Sequence, residues 1–369
     1  MSDPRIQKLA QVLVQYSLEL RKGETLFIRT SPLAEALNQA VYKEAILVGA
    51  YVDIQSQVQG AQEIFYKHAS DDQIDYVSPI TRFVVEKYRA ILVIDGEYNT
   101  HELTAVDPAR QARNRAARAE ISNLMNRRTA NKELNWCYTV YPTHASAQDA
   151  EMSLTDYEEF VFEACLLNLD DPVAAWTAEG ERQKKLIQNL AGHNKVSLQG
   201  KDVDLQLSIQ GRSFEEACGK HNFPDGEIYT SPVEDSTNGW IRFSYPLIFD
   251  GKEVQDVELW FEHGKVVKEQ ASKGQELLTQ SLNIDGGARY LGELGIGTNY
   301  AIQRFTKNML FDEKIGGTIH LAVGMGFPEV GGKNESGLHW DMLCDMSESE
   351  IRVDGDLFYK DGKIVGLLP

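Results

Sequence analysis

Five side chains able to ligate a divalent cation stand in apolar or glycine-rich company in the C-terminal half of the sequence. Glu227 follows the turn Pro224-Asp225-Gly226 and opens the strand-like run Glu227-Ile228-Tyr229-Thr230. Glu293 is isolated within Leu291-Gly292-Glu293-Leu294-Gly295-Ile296-Gly297. A carboxylate there is costly to bury without a cationic partner; the alternative for either glutamate alone is an exposed turn position. In Gly317-Thr318-Ile319-His320-Leu321-Ala322-Val323-Gly324, the residues Ile319, Leu321 and Val323 share one strand face. His320 shares the other face with Ala322 and Gly324, which leave room beside it. A single strand histidine is more often a packed core residue than a ligand, but the last segment changes the weighing. Gly337-Leu338-His339-Trp340-Asp341-Met342 places an imidazole and a carboxylate two positions apart, with Leu338, Trp340 and Met342 on the opposite face. In a strand the pair project together, about 6.5–7 Å apart along the chain.

These groups lie within about 115 residues of one another. Mixed carboxylate and imidazole ligation suits Zn²⁺, Co²⁺ or Mn²⁺ better than Ca²⁺ or a thiolate-bound structural zinc. The ligands outnumber what one catalytic zinc uses and match a two-metal hydrolytic centre with a bridging carboxylate. Competing motifs are missing: no HExxH, no GxSxG and no GxxxxGK[ST]. Gly324-Met325-Gly326-Phe327-Pro328-Glu329 follows a dinucleotide fingerprint only to its second glycine, and reads as a loop beside the site. His68, His101, His144 and His193 lack acidic neighbours at ligand spacing and read as structural or exposed.

The elements that must position these groups fall into two halves. The first alternates helix and strand: helices over Pro4–Arg21, Leu33–Val48, Ile80–Tyr88, Pro108–Arg128, Thr155–Leu169 and Asp171–Leu190, with strands Glu24–Arg29, Tyr51–Gln57, Ala90–Ile94 and Cys137–Tyr141. Such alternation predicts a mostly parallel sheet flanked by helices. Beyond residue 195 short period-2 strands take over, separated by glycine turns. Phe249-Asp250-Gly251-Lys252, Glu262-His263-Gly264-Lys265, Asp354-Gly355 and Asp361-Gly362 are the hairpin signals. The expected organisation is therefore an α/β domain, residues 1–190, followed by a β-rich α+β metal-binding domain, residues 191–369.

A length of 369 residues agrees with two domains. With 37 Lys and Arg against 55 Asp and Glu, the net charge is −18. That balance disfavours nucleic acid and anionic membrane as partners. The four cysteines are too scattered for a zinc knuckle or a disulfide framework, and no secretion signal or long apolar run occurs. A cytoplasmic location with reduced thiols is expected.

Taken together, PDGEIYTSPVEDSTNG, YLGELGIGTN, LFDEKIGGTIHLAVG and GGKNESGLHWDM, in that order, resemble the aminopeptidase T and aminopeptidase S family of metallopeptidases; LVQYSLELRKGETLFIRTS resembles that family's opening. The resemblance spans the chain. It implies a binuclear aminopeptidase acting on short peptides with a free N-terminus, assembled as a homodimer around an enclosed cavity. Carried over motif by motif, Glu227, Glu293, His320, His339 and Asp341 are implied metal ligands, Glu293 as the bridge, with Glu313 a further candidate. Glu293 or Glu313 would carry the proton to the leaving amine. The sequence departs from the family at Phe327, where a tyrosine is common; Tyr229 or Tyr300 could supply a phenol instead. The competing readings are a metal-stabilised binding module without catalysis, and a binuclear amidase acting on non-peptide substrates.

Overall fold

The computed structural model describes residues 3–249 and 252–366. Two compact units emerge. One holds the described residues to Ala175 together with Gly219–Pro224, the other Trp176–Cys218 and the described residues from Asp225 onward. The boundary expected near residue 190 therefore lies before most of the helix Pro172–Leu190, and a six-residue excursion returns to the first unit. A helix that closes one unit in sequence can pack with the next, which periodicity does not distinguish.

In the first unit, β1 (Thr25–Thr30), β2 (Tyr51–Ser56), β3 (Ala90–Asp95) and β4 (Asn135–Val140) form a parallel sheet in the order β2-β1-β3-β4. The short strand Asn222–Phe223 joins the far edge, parallel to β4. Leu26, Ile28, Ala90 and Leu92 are fully buried, as a sheet covered on both faces requires. Helical expectations needed trimming. The first helix is α-helical over Pro4–Gln11 and widens to π-helical turns over Val12–Ser17, and the helix expected over Thr155–Leu169 spans Leu154–Ala164. Pro108–Arg128 is two helices, Pro108–Ala117 and Ala119–Ala130, broken at Arg118. Each half has its own partner: the Asn114 amide of the first donates to the Ile74 carbonyl, while Ile121 of the second packs with Val84 and Val85.

The connection leaving β1 runs to β2 on one side and that leaving β3 runs to β4 on the other, so a crevice forms between β1 and β3 at the strands' carboxyl ends. It holds a cavity of about 240 Å³ lined by Arg29, Ser31, Gln57, Asp95, Glu97 and Tyr138, among others. Glu97 keeps an exposed side chain, yet lost hydration in the crevice, reinforced by Asp95, Asp149 and Glu102, lifts its carboxyl to about 7. An acid raised in the folded state stabilises fully below its unfolded pKa, and that contribution is lost as pH rises through about 7. Glu97→Gln should therefore raise the thermal midpoint at pH 8 by about 1–2 °C, solvent screening keeping the gain small, and leave it unchanged at pH 4. Thermal melts at the two pH values check this.

The second unit is built on two antiparallel sheets. Eight strands run Lys265–Gln270, Glu258–Glu262, Asn238–Arg242, Val203–Ser208, Lys195–Gly200, Ser349–Val353, Asp356–Lys360 and Lys363–Ile364 across the larger one. The smaller contains β5 (Glu215–Ala217), β6 (Glu227–Thr230), β7 (Leu291–Gly297), β8 (Thr318–Gly324) and β9 (His339–Asp345), in the order β9-β8-β7-β6-β5. Leu198, Leu205, Ile241 and Leu259 of the first sheet and Ile228, Leu294, Ile319, Leu321 and Met342 of the second belong to one buried cluster. Each such side chain contributes about 1.5–3 kcal/mol on burial. The His263-Gly264, Asp354-Gly355 and Asp361-Gly362 turns all have positive φ at both residues, as two-residue hairpins of the right twist demand. Leu247–Phe249 pairs with Lys252–Val254 as expected, while the turn residues Asp250 and Gly251 lie outside the described residues.

Candidate metal centre

Strand alternation in the smaller sheet sends the apolar series inward and places every sequence-nominated strand ligand on the other face. Ile228, Leu294, Ile296, Ile319, Leu321, Val323, Trp340 and Met342 enter the core. Glu227, Glu293, His320, His339 and Asp341 hold the alternate positions. The register interleaves them with small residues. His320 pairs with Gly295, Glu293 with Ala322, Ala322 with Asp341, and Gly324 with His339. A Cβ added at Gly295 would lie 2.0 Å from Cε1 and Nε2 of His320. The imidazole thus lies directly over the β7 backbone, and only glycine permits that.

The five groups converge. His320 Nε2 is 3.2 Å from Glu227 Oε2 and 3.5 Å from Glu293 Oε1. The other Glu293 oxygen is 3.1 Å from His339 Nε2, which lies 3.5 Å from Asp341 Oδ2. One ligand atom each from Glu293, His339 and Asp341 falls within 4.8 Å of the others. Glu293 stands between two imidazoles, one per oxygen. His339 Nδ1 donates to the Met325 carbonyl at 3.0 Å, which fixes the ring with Nε2 toward the carboxylates.

Burial is graded. The side chains of His320 and Glu293 are 1% and 6% exposed, those of His339 and Asp341 23% and 15%. The centre is thus open on its His339–Asp341 side. A cavity of about 650 Å³ is lined by Met325, whose carbonyl bonds His339, and by Gly326, Pro328, Asn334 and Ser336 among others. Phe327, between two of these lining residues, packs on the His339 ring at 5.0 Å and edge-on to Tyr229 at 5.3 Å. Tyr229 therefore adjoins the centre. Tyr300 instead belongs to the neighbourhood of Arg182 and Glu179.

The electrostatics follow from anions crowded around imidazoles. Burial would lower the His320 imidazole, but Glu227 and Glu293 beside it lift it to about 10. Burial opposes His339 in the same way, and Asp341 and Glu293 raise it to about 11. Burial pushes Glu293 up, and the two histidines pull it further down, below its ordinary carboxylate value.

Glu313 does not lie on the sheet. It follows the short helix Met309–Asp312, and its carboxylate meets Lys314 Nζ. Lys314 and Asp225 carry no signal in the sequence that marks them as part of the centre. Lys314 is 1% exposed, with Nζ 2.5 Å from Glu227 Oε1 and 3.5 Å from Asp225 Oδ1. In sequence it is one of three consecutive charged residues, the signature of a solvated turn; only the chain's return against the sheet buries it.

The donors are oxygen and imidazole nitrogen alone, and the buried Glu227 Oε2 has no hydrogen-bond partner. Such a set fits one or more divalent cations. Metal-dependent hydrolases use donors of this kind, whereas structural zinc sites close mostly around thiolates. The chain belongs to the family described as Thermophilic metalloprotease (M29), which it matches over residues 2–365. It is 27% identical to aminopeptidase 2 of Geobacillus stearothermophilus, across 98% of this chain and 95% of that one. Identity to aminopeptidase T of Thermus thermophilus is 26%, across 97% and 95%. The fold is that of wild-type AmpT from Thermus thermophilus, with a TM-score of 0.85 over 98% of this chain and 99% of that one at 23% identity.

Proposed function

We propose that this metallopeptidase is an aminopeptidase that removes the first residue of short peptides with a free N-terminus, using two divalent cations (Zn²⁺, Co²⁺ or Mn²⁺). The observation that carries the reading is Glu293 set between two imidazoles, with Glu227 beside one and Asp341 beside the other. Glu227 and His320 would hold one cation, His339 and Asp341 the other, and Glu293 both. When bound, the ions polarise the scissile carbonyl and acidify water.

The protein's own residues supply the rest. Asp341, on the open side, offers a carboxylate to the cationic α-amine of the substrate. The cavity beside Met325 and Pro328 offers space for the peptide. Proton transfer to the leaving amine falls to Glu293, or to Glu313. Glu313 shares its carboxylate with Lys314, so its part as a ligand is secondary to that ion pair. Tyr229, packed on Phe327, would supply the phenol where the family commonly has a tyrosine at position 327.

Assembly as a homodimer in the cytoplasm is part of the same reading. Leu47, Tyr51 and Ile54, at and beside the edge strand β2, are exposed, Leu47 by 70%, and a second copy would cover them. Among the described residues no helix is long and apolar enough to cross a membrane. Sedimentation velocity tests the dimer.

Chelation tests the function. Treatment with a strong chelator should abolish cleavage of aminoacyl anilides, and added Co²⁺, Zn²⁺ or Mn²⁺ should restore it, with far-UV circular dichroism retained throughout. N-acetylated anilides should not be cleaved. Unfolding on chelation would identify a structural metal module instead, and cleavage of the blocked substrates would identify an amidase.

A further inference from the structure

A buried lysine beside a cation-binding centre looks counterproductive, because it repels the very ions the centre collects. Lys314 nevertheless sits 1% exposed among Glu227, Glu313 and Asp225. Burial of that ammonium is tolerable only because three carboxylates surround it.

Two features give it a purpose. The first is charge. Asp225, Glu227, Glu293, Glu313 and Asp341 carry five negative charges when ionised, and two divalent cations cancel four. Lys314 supplies the fifth positive charge, so the centre closes at neutrality without a third ion or a trapped proton. The second is orientation. Lys314 bonds Glu227 through Oε1 at 2.5 Å, and Oε2 is left facing His320 Nε2 at 3.2 Å without a hydrogen bond of its own. A carboxylate held this way can present a single oxygen to a cation.

We propose that Lys314 is a positioning residue: it turns Glu227 so that only Oε2 reaches the metal, and it neutralises the carboxylate surplus left by Asp225 and Glu313. The inference rests on the two-metal reading above, but its failure is distinguishable from the failure of that reading. Partners of ligands placed in this way are worth about 10–100-fold in affinity or activity.

The test begins with the unmodified protein. A crystal loaded with Co²⁺ and located by anomalous scattering should show Glu227 bound through Oε2 alone, with Oε1 still on Lys314. Ions present with Glu227 bound through both oxygens would overturn the inference and leave the metal reading intact. A loaded crystal with no ions near Glu293 would overturn the metal reading itself. Lys314→Met, the neutral replacement of similar length, adds a solution readout. It should retain the wild-type circular dichroism, change the Co²⁺ absorption spectrum, and lose about 10–100-fold in kcat with KM altered less than about threefold. Lys314→Arg should recover part of kcat because it keeps the charge. A folded Lys314→Met protein with wild-type spectrum and kcat would sink the proposal; if that variant fails to fold, the native Co²⁺ crystal still decides it.

Discussion

Alanine at position 293 will abolish peptide hydrolysis, by about a thousandfold or more, an increase of about 4 kcal/mol in the barrier. The reason lies in the two oxygens of Glu293, one facing His320 and the other His339. No neighbour can replace both contacts, because the residue paired with Glu293 on β8 is Ala322. The substitution should not disturb the fold. Position 293 lies on the face opposite the apolar cluster, and alanine is tolerated in a strand beside another small residue. Steady-state kinetics, metal content by mass spectrometry and circular dichroism on the purified variant give the answer. Wild-type-like turnover by a correctly folded Glu293→Ala protein would remove the central assignment.

The second large effect is expected where no polar atom is touched. Gly295→Ala puts a methyl group 2.0 Å from the His320 ring, well inside van der Waals contact. Backbone cannot yield, since β7 is paired on one side to β8 and on the other to β6. The imidazole must therefore rotate away from Glu227 and Glu293. Activity should fall at least about a hundredfold, and overpacking should cost about 1–3 kcal/mol of stability. Bound metal should fall with it. A Gly295→Ala protein that keeps full metal content and turnover would show that His320 is not held where the structure puts it.

Much of this centre was legible because β-strands have a simple period. Once Ile319, Leu321 and Val323 are assigned to the core, His320 has only one face left, and the same parity places Glu293 opposite Leu294 and His339 opposite Trp340. The hairpins were legible for a local reason, positive φ at both turn residues, which Asp-Gly and His-Gly accept. What escaped depends on contacts distant in sequence. Lys314 is 87 residues from Glu227, and nothing in Asp312-Glu313-Lys314 announces that its charges are buried. The strand Asn222–Phe223 is two residues long, too short for any periodicity, and its membership of the parallel sheet is set by β4 alone. The break at Arg118 escaped because both flanking segments have helix-forming composition, and separate packing partners divide them.

Glu227, Glu293, His320, His339 and Asp341 ride on adjacent, mutually hydrogen-bonded strands rather than on loops. A receptacle built on such a lattice keeps its shape when empty, so its occupants can be exchanged without the chain rearranging around each newcomer. Which cation resides there in a living cell would then be set by supply and by the chemistry of the donor atoms, with little contribution from mechanical fit.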